Sequence, residues 1–261
     1  MEISIIINNY KTRGLLKQCL KGIFAFPPSV PFEVIVVDNN SGDGSVELVR
    51  EKFSQVKLID AKENLGHQKG NNLGISNSAG KYVLILNTDI AILDNVFDKM
   101  YRYMEANSNV ALVGPKLKNP DGSVQMSCMR YPTTFMPIYR RTFLGRIPWA
   151  RTAISSYLME DFNHNEIREV DWILGSCELV RRSAIDKVGG MDEDFFMYFG
   201  DVAWCQKFHT AGFKIIYFPE GDIIHYHKRE SAQGGILSKI FWIHISDWIK
   251  YLKKYPQKNA V

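Results

Sequence analysis

The chain has 261 residues, of which 46% are apolar and 23% charged, and a formal net charge of +4. That balance fits a packed globular protein long enough to bury a core without disulfides, and it excludes disordered, collagen-like and disulfide-scaffold chains. No stretch approaches the roughly 18 continuous apolar residues of a spanning helix, and the N-terminus shows no basic leader or small-residue cleavage site.

The four cysteines, Cys19, Cys128, Cys177 and Cys205, are scattered without a CxxC pair. They read as reduced thiols of a cytoplasmic protein and not as zinc ligands or a disulfide framework. The charge is uneven. Residues 226–261 hold seven Lys/Arg and two Asp/Glu, a net of +5, and the rest of the chain carries −1. A basic tail on a near-neutral body argues against nucleic acid as a partner.

In chain order, residues 3–7 read as a buried strand and 11–24 as a helix, with Leu15, Leu16, Cys19, Leu20 and Ile23 at helical spacing. Pro27, Pro28 and Pro31 break the chain, and residues 33–37 form a β-branched strand that ends at Asp38. Ser45 caps a helix through residue 53. A strand at 56–60, a helix at 67–78 and a strand at 82–86 follow, the last ending at Asn87-Thr88-Asp89 before a helix at about 94–106. This alternation predicts an α/β fold whose mostly parallel, Rossmann-like sheet carries helices on both faces. Ligands of such sheets bind outside the carboxyl ends of the strands, so Asp38 and Asp89 should face one crevice.

The second half is less regular. Residues 110–114 read as a strand and Asn119-Pro120-Asp121-Gly122 as a turn. Residues 128–168, rich in Pro, Arg and aromatics, show no period and read as a long loop or as unplaced helices. An apolar run over Val170–Val180, helices at 182–188 and 201–211, and a strand at 214–218 follow. The chain then reads as an amphipathic helix over 236–255, with Leu237, Phe241, His244, Trp248 and Leu252 on one side. That helix suits either docking on the domain or an anionic membrane surface.

Several positions suit chemistry. A carboxylate at Asp38 can accept from the imide N–H of a pyrimidine, or cap its own turn. Asn64-Leu65-Gly66 and Gly70-Asn71-Asn72 flank a helix start and offer close backbone approach and paired amides. Neither a GxGxxG nor a GxxxxGK[ST] motif is present. Asp89 sits where a single acid can hold magnesium or manganese shared with a diphosphate. Asp201 follows the aromatic run Phe195-Phe196-Met197-Tyr198-Phe199. Desolvation there would make it a better proton acceptor, although the position also suits a helix cap. His225 and His227 are available imidazoles.

The order of these segments resembles family 2 glycosyltransferases of GT-A fold, and among them the rhamnosyltransferase-like group that builds bacterial surface polysaccharides. The resemblance is carried by Ile5-Ile6-Ile7-Asn8-Asn9-Tyr10, Val36-Val37-Asp38-Asn39-Asn40-Ser41, Glu63-Asn64-Leu65-Gly66 through Gly74, and Leu86-Asn87-Thr88-Asp89 at the place of the DXD motif. Trp172 through Cys177 with Arg181-Arg182 looks like the acceptor-side strand, and Gly189 through Asp201 looks like the segment leading to the base. His225 lies where related enzymes carry a metal-ligating histidine.

The resemblance implies a nucleotide-diphosphate sugar, dTDP- or UDP-linked, held by Asn9, Asp38, Asn40, Asn64, Gly66, Asn71, Asn87, Thr88 and Asp89. It implies a divalent cation, Mn or Mg, on Asp89 and His225, and an acceptor glycan, free or lipid-linked, beside Trp172, Gly175 and Ser176. It implies inverting transfer with Asp201 as base. Residues 1–235 would form the GT-A domain, with a nucleotide-sugar half at 1–110 and an acceptor half at 111–235, and 236–261 a basic helix and tail at the inner face of the cytoplasmic membrane. One departure stands out: the family's Glu-Asp-x-Asp is here Gly200-Asp201-Val202-Ala203. It keeps open a non-catalytic nucleotide-sugar-binding or scaffolding protein of the same fold, and makes restoration of a glutamate at 200 an expected gain. A nucleotidyltransferase would need a Gly-rich basic loop near the first strand, which Tyr10-Lys11-Thr12-Arg13-Gly14 does not supply.

Overall fold

Ile3, Ile5 and Ile7 on the first strand point to one hydrophobic cluster and Ile6 to another, so both faces of this strand are buried. That two-sided burial explains the continuous apolar strands and organises the whole computed structural model, which describes residues 1–226 and 238–255.

The strands are β1 (Ile3–Asn9), β2 (Phe32–Asp38), β3 (Lys57–Asp60), β4 (Tyr82–Leu86), β5 (Ile90–Ile92), β6 (Val110–Lys118), β7 (Cys128–Met129), β8 (Arg168–Glu169), β9 (Trp172–Ile173), β10 (Cys177–Arg181) and β11 (Lys214–His225). The main sheet runs β3-β2-β1-β4-β10-β6-β11-β5, with β8 also paired to β11. β1, β2, β3 and β4 are parallel, as are β6 and β11. β10 is inserted antiparallel between β4 and β6, so a single sheet runs through both halves of the chain.

Helices α1 (Arg13–Ala25), α2 (Ser45–Lys52) and α4 (Val96–Ala106) cover one face, through residues such as Leu16, Leu20, Leu48 and Met100. Helices α3 (Gly66–Ser76), α5 (Met136–Arg141), α6 (Pro148–Tyr157), α7 (Arg182–Val188), α8 (Gly200–Thr210) and α9 (Lys239–Lys254) contribute to the other, through residues such as Ile75, Met136, Tyr157, Ile185, Trp204 and Tyr251.

Of the two readings of residues 128–168, that of unplaced helices holds: they contain β7, α5, a 3-10 turn at Phe143–Arg146, α6 and β8. Their short lengths and the prolines at the starts of α5 and α6 erase any helical period. The run Val170–Val180 is two strands broken at Leu174-Gly175-Ser176. The strand beginning at Lys214 does not stop at Phe218; a register shift between Phe218 and Ile223 absorbs Pro219 as a bulge and carries the strand to His225.

Candidate active site

Asp38, Asn87 and Asp89 lie at or just beyond the carboxyl ends of β2 and β4. Because β10 is antiparallel to β4, its start lies at that same end: Cys177 pairs with Leu86, and Ser176 accepts the Asn87 N–H at 2.9 Å. The neighbouring Gly175 N–H donates to Asp201 Oδ2 at 3.2 Å. One dipeptide thus touches the Asn87-Thr88-Asp89 segment with one residue and the candidate base with the other. A Cβ on Gly175 would stand 3.2 Å from the Asp201 Cβ, so the close approach depends on glycine.

Asp201 lies at the start of α8, where Oδ1 also accepts the Val202 N–H at 2.9 Å. Burial raises its pKa from the ordinary 3.8, opposed by the Val202 and Gly175 amides and by His67. Desolvation prevails, and the result is a more basic carboxylate. Phe199, just before the helix, has φ 63, a left-handed conformation costly for an aromatic residue. It is held by stacking on Tyr251 of α9, with ring centroids 5.4 Å apart. Asp247 of α9 is buried and accepts three successive amides, from Phe196 at 3.3 Å, Met197 at 3.0 Å and Tyr198 at 3.0 Å. The last described helix is therefore a brace for the segment that carries Asp201. Its most buried residues are Asp247 and Tyr251, a face rotated from the one read in the sequence. Leu237 and His227 lie outside the described residues.

The same segment reaches the donor side. Phe196 O accepts the His67 N–H at 2.7 Å, at the start of α3. Gly66 has φ +81, and a Cβ there would meet Phe196 O at 2.6 Å, so both conformation and space require glycine. Asn64 is exposed and accepts the Gly66 N–H at 2.9 Å, capping the turn. Asn71 is buried, its amide N 3.3 Å from His67 Nδ1. His67 and Gln68 are functional candidates that sequence reasoning missed. The His67 ring contacts Gln68 Oε1 at 2.7 Å and Asn87 Oδ1 at 3.4 Å, and it lies within electrostatic reach of Asp201. A single histidine inside a polar helix start gives no periodic signal by which to find it.

The pyrimidine candidate is tightly held. Asp38 is 1% exposed, with Oδ2 accepting from Asn9 Nδ2 at 2.7 Å and Oδ1 from the Ser41 N–H at 2.8 Å. Asn9 Oδ1 accepts from Thr12, whose hydroxyl lies 2.9 Å from that of Thr88. A polar chain thus joins Asp38 to the Asn87-Thr88-Asp89 segment. Asn40, exposed at φ 58, forms the turn beyond Asp38.

The pairing of β5 with β11 sets His225 opposite Ile90 and so beside Asp89, across 136 residues of chain. His225 Nε2 lies 3.4 Å from Asp89 Oδ2, and Nδ1 lies 2.6 Å from Gln125 Oε1. If Nδ1 donates to that amide oxygen, Nε2 turns a lone pair toward the carboxylate. A nitrogen and an oxygen donor 3.4 Å apart are close enough that this pair would hold one small divalent ion between them. No cluster of three or more His, Cys, Asp or Glu suited to a metal occurs among the described residues, so the donor would complete the shell.

Trp172 and the Arg181-Arg182 pair have structural roles. The Trp172 indole donates to Arg130 O at 2.8 Å, and its ring lies 6.4 Å from that of Tyr157. Arg181 and Arg182 lie at the far end of β10, tying Val110, Met104, Asn107, Gly80 and Ser78, well away from the crevice.

The glycosyl transferase family 2 profile matches residues 4–189. The chain belongs to that family. It is a glycosyltransferase of GT-A fold that uses a nucleotide sugar in glycan biosynthesis. The N-acetylglucosaminyl-diphospho-decaprenol L-rhamnosyltransferase of Mycobacterium tuberculosis is 31% identical over 84% of this chain and 74% of its own length. The low-salt glycan biosynthesis hexosyltransferase Agl10 of Haloferax volcanii is 28% identical over 86% and 67%. Among solved structures, residues 1–349 of S. aureus TarS align with TM-score 0.59 at 15% identity, over 86% of this chain and 60% of that one. The Pyrobaculum calidifontis mannosyltransferase, solved with GDP-Man and Mn2+, aligns with TM-score 0.58 at 19% identity, over 89% and 58%. The glycosyltransferase thus spans about three fifths of the length of these two structures, and no helix among its described residues is long and apolar enough to cross a membrane.

Proposed function

We propose that this enzyme is an inverting, metal-dependent transferase. It would move a sugar, with rhamnose the leading candidate, from a dTDP- or UDP-sugar to a hydroxyl of a growing surface glycan. The observation that carries the reading is the Gly175-Ser176 turn, bonded to Asp201 on one side and to Asn87 on the other. It sets a basic carboxylate across from a segment able to hold a diphosphate.

Asn9, Asp38, Asn40, Asn64, Gly66 and Asn71 frame the nucleotide-sugar site, and Asn87, Thr88 and Asp89 face its diphosphate. Asp89 and His225 would hold Mn or Mg, which when bound supplies positive charge to the leaving diphosphate. Asp201 accepts the proton of the acceptor hydroxyl. The freed oxygen bonds to the anomeric carbon from the opposite face as the carbon–oxygen bond to the diphosphate breaks. One such displacement inverts the anomeric configuration. Gly175 and Ser176 would line the acceptor side, with Trp172 behind them. The relatives' lipid-linked and glycan substrates support a lipid-linked acceptor, met at the inner face of the cytoplasmic membrane.

A non-catalytic binder of nucleotide sugars is favoured by one observation, the glycine at position 200. A panel of dTDP-, UDP- and GDP-sugars, assayed with manganese for release of the nucleoside diphosphate, separates the two. Transfer with inversion, read from the product's anomeric configuration by NMR, supports the enzyme. Binding without any release supports the binder, and retained configuration removes the single displacement.

A further inference from the structure

The hairpin formed by α5, the 3-10 turn and α6 lies outside the donor site, and its exposed surface has an unusual composition. Residues 122–159 contain five arginines and no Asp or Glu. Phe143, at the tip of the hairpin, is 76% exposed, Trp149 58% and Phe135 56%. These aromatics are linked. Phe135 stacks on Tyr139 at 6.1 Å, and Tyr139 meets Trp149 edge-on at 5.2 Å. Arg140, Arg146 and Arg151 are exposed among them.

The hairpin abuts α9: burial, and then the charges of Arg141 and Arg140, hold the His244 imidazole down at about 3. Arg151 shares a hollow with Glu160 and Asp161, whereas no Asp or Glu lies within the hairpin itself. Aromatic side chains interleaved with such cations match the headgroup region of an anionic bilayer, where rings sit at the interface and guanidinium groups meet phosphate. A second copy of this chain is a poorer occupant, because a two-fold contact would set the arginines of one face against those of the other.

We propose that the α5–α6 hairpin docks this enzyme on an anionic lipid surface. The placement suits a lipid-linked acceptor. Tyr157 at the end of α6 packs against Trp172 and lies within electrostatic reach of Asp201, so a hairpin lying on the membrane brings the proposed base to it. That purpose rests on the transferase reading, whereas docking itself does not.

The test is co-sedimentation of the full chain with vesicles of phosphatidylcholine containing phosphatidylglycerol, against phosphatidylcholine alone, at low and high salt. The expectation is binding to the anionic vesicles that salt weakens. The paired variant Phe143→Ser/Trp149→Ser should lower partitioning at least tenfold, and each of Arg140→Gln, Arg146→Gln and Arg151→Gln by about fivefold. These positions are exposed, and circular dichroism checks that each variant is folded. Unchanged vesicle binding in the variants overturns the proposal in favour of other segments. Equal binding to neutral vesicles removes the anionic lipid. Concentration-dependent dimers that the same variants dissociate, without vesicle binding, assign the face to a second copy. Donor turnover with a soluble acceptor should persist in Phe143→Ser/Trp149→Ser. If the wild type shows no turnover yet binds vesicles, the transferase reading fails and the docking surface stands.

Discussion

The side chain of Gln68 fills the space in which a Cβ on residue 200 would stand, approaching that position with Nε2, Cδ and Cγ. Gln68 is buried and fixed by its contact with His67, so it cannot swing away freely. The glycine at 200 is therefore one half of a packed pair, and the expected gain from restoring glutamate there is withdrawn. Gly200→Ala should cost about 1 to 3 kcal/mol through overpacking, and Gly200→Glu more. In a Gln68→Ala background the cost of Gly200→Ala should fall close to zero. Urea unfolding of the four proteins of this double-mutant cycle measures the coupling.

The pair proposed to hold the metal, Asp89 and His225, makes a separate prediction. Gln125 faces the far nitrogen of His225, so Gln125→Leu should weaken manganese binding in the presence of UDP by about tenfold or more without touching a ligand. Asp89→Ala should abolish it. Calorimetric titration of manganese reads both, and unchanged affinity in Asp89→Ala would reassign the cation.

Asp247 predicts a link between the C-terminal helix and the site. Removing its carboxylate leaves three amides without their acceptor, so Asp247→Ala should destabilise the protein by about 1.5 to 3 kcal/mol. It should also open the 196–199 segment to limited proteolysis before global unfolding. Protection equal to that of the wild type would show that the brace is dispensable.

Glu178 on β10 is 0% exposed, and neither carboxyl oxygen has a hydrogen-bond partner among the described residues. Burial, and then the nearby Asp201 carboxylate, push its pKa well above 4.5. The sign follows from linkage. Below about pH 4.5 the group is neutral in both folded and unfolded chains and costs nothing as a charge. As pH rises from there toward the folded pKa, the unfolded chain ionises first and stability is lost. Glu178→Leu should remove this loss and raise stability by about 1 to 3 kcal/mol at pH 7. A variant whose stability falls with pH in parallel with the wild type would assign the loss to other groups.

Much of this arrangement was legible in the sequence because it depends on local pattern. β4 matches the apolar run 82–86, and α7 stops at Gly189 as read, whereas α3 stops at Ser76, short of the residue 78 expected. What the sequence hid is non-local. The antiparallel entry of β10, which brings Gly175 to Asp201, leaves no trace in the periodicity of residues 172–181. The bulge at Pro219, which carries β11 to His225, looks like a strand end. The Gln68–Gly200 contact joins two positions 132 residues apart, each unremarkable alone.

The central claim is that Asp201 takes the proton from the acceptor, and kcat measured for Asp201→Asn with donor, manganese and the true acceptor tests it most directly. The variant is nearly isosteric and keeps an oxygen for the Gly175 amide, so donor binding should be retained while kcat falls by about two orders of magnitude or more. The wild-type rate should rise with pH through a pKa above the ordinary 3.8 of an aspartate. A kcat for Asp201→Asn equal to that of the wild type would contradict the account.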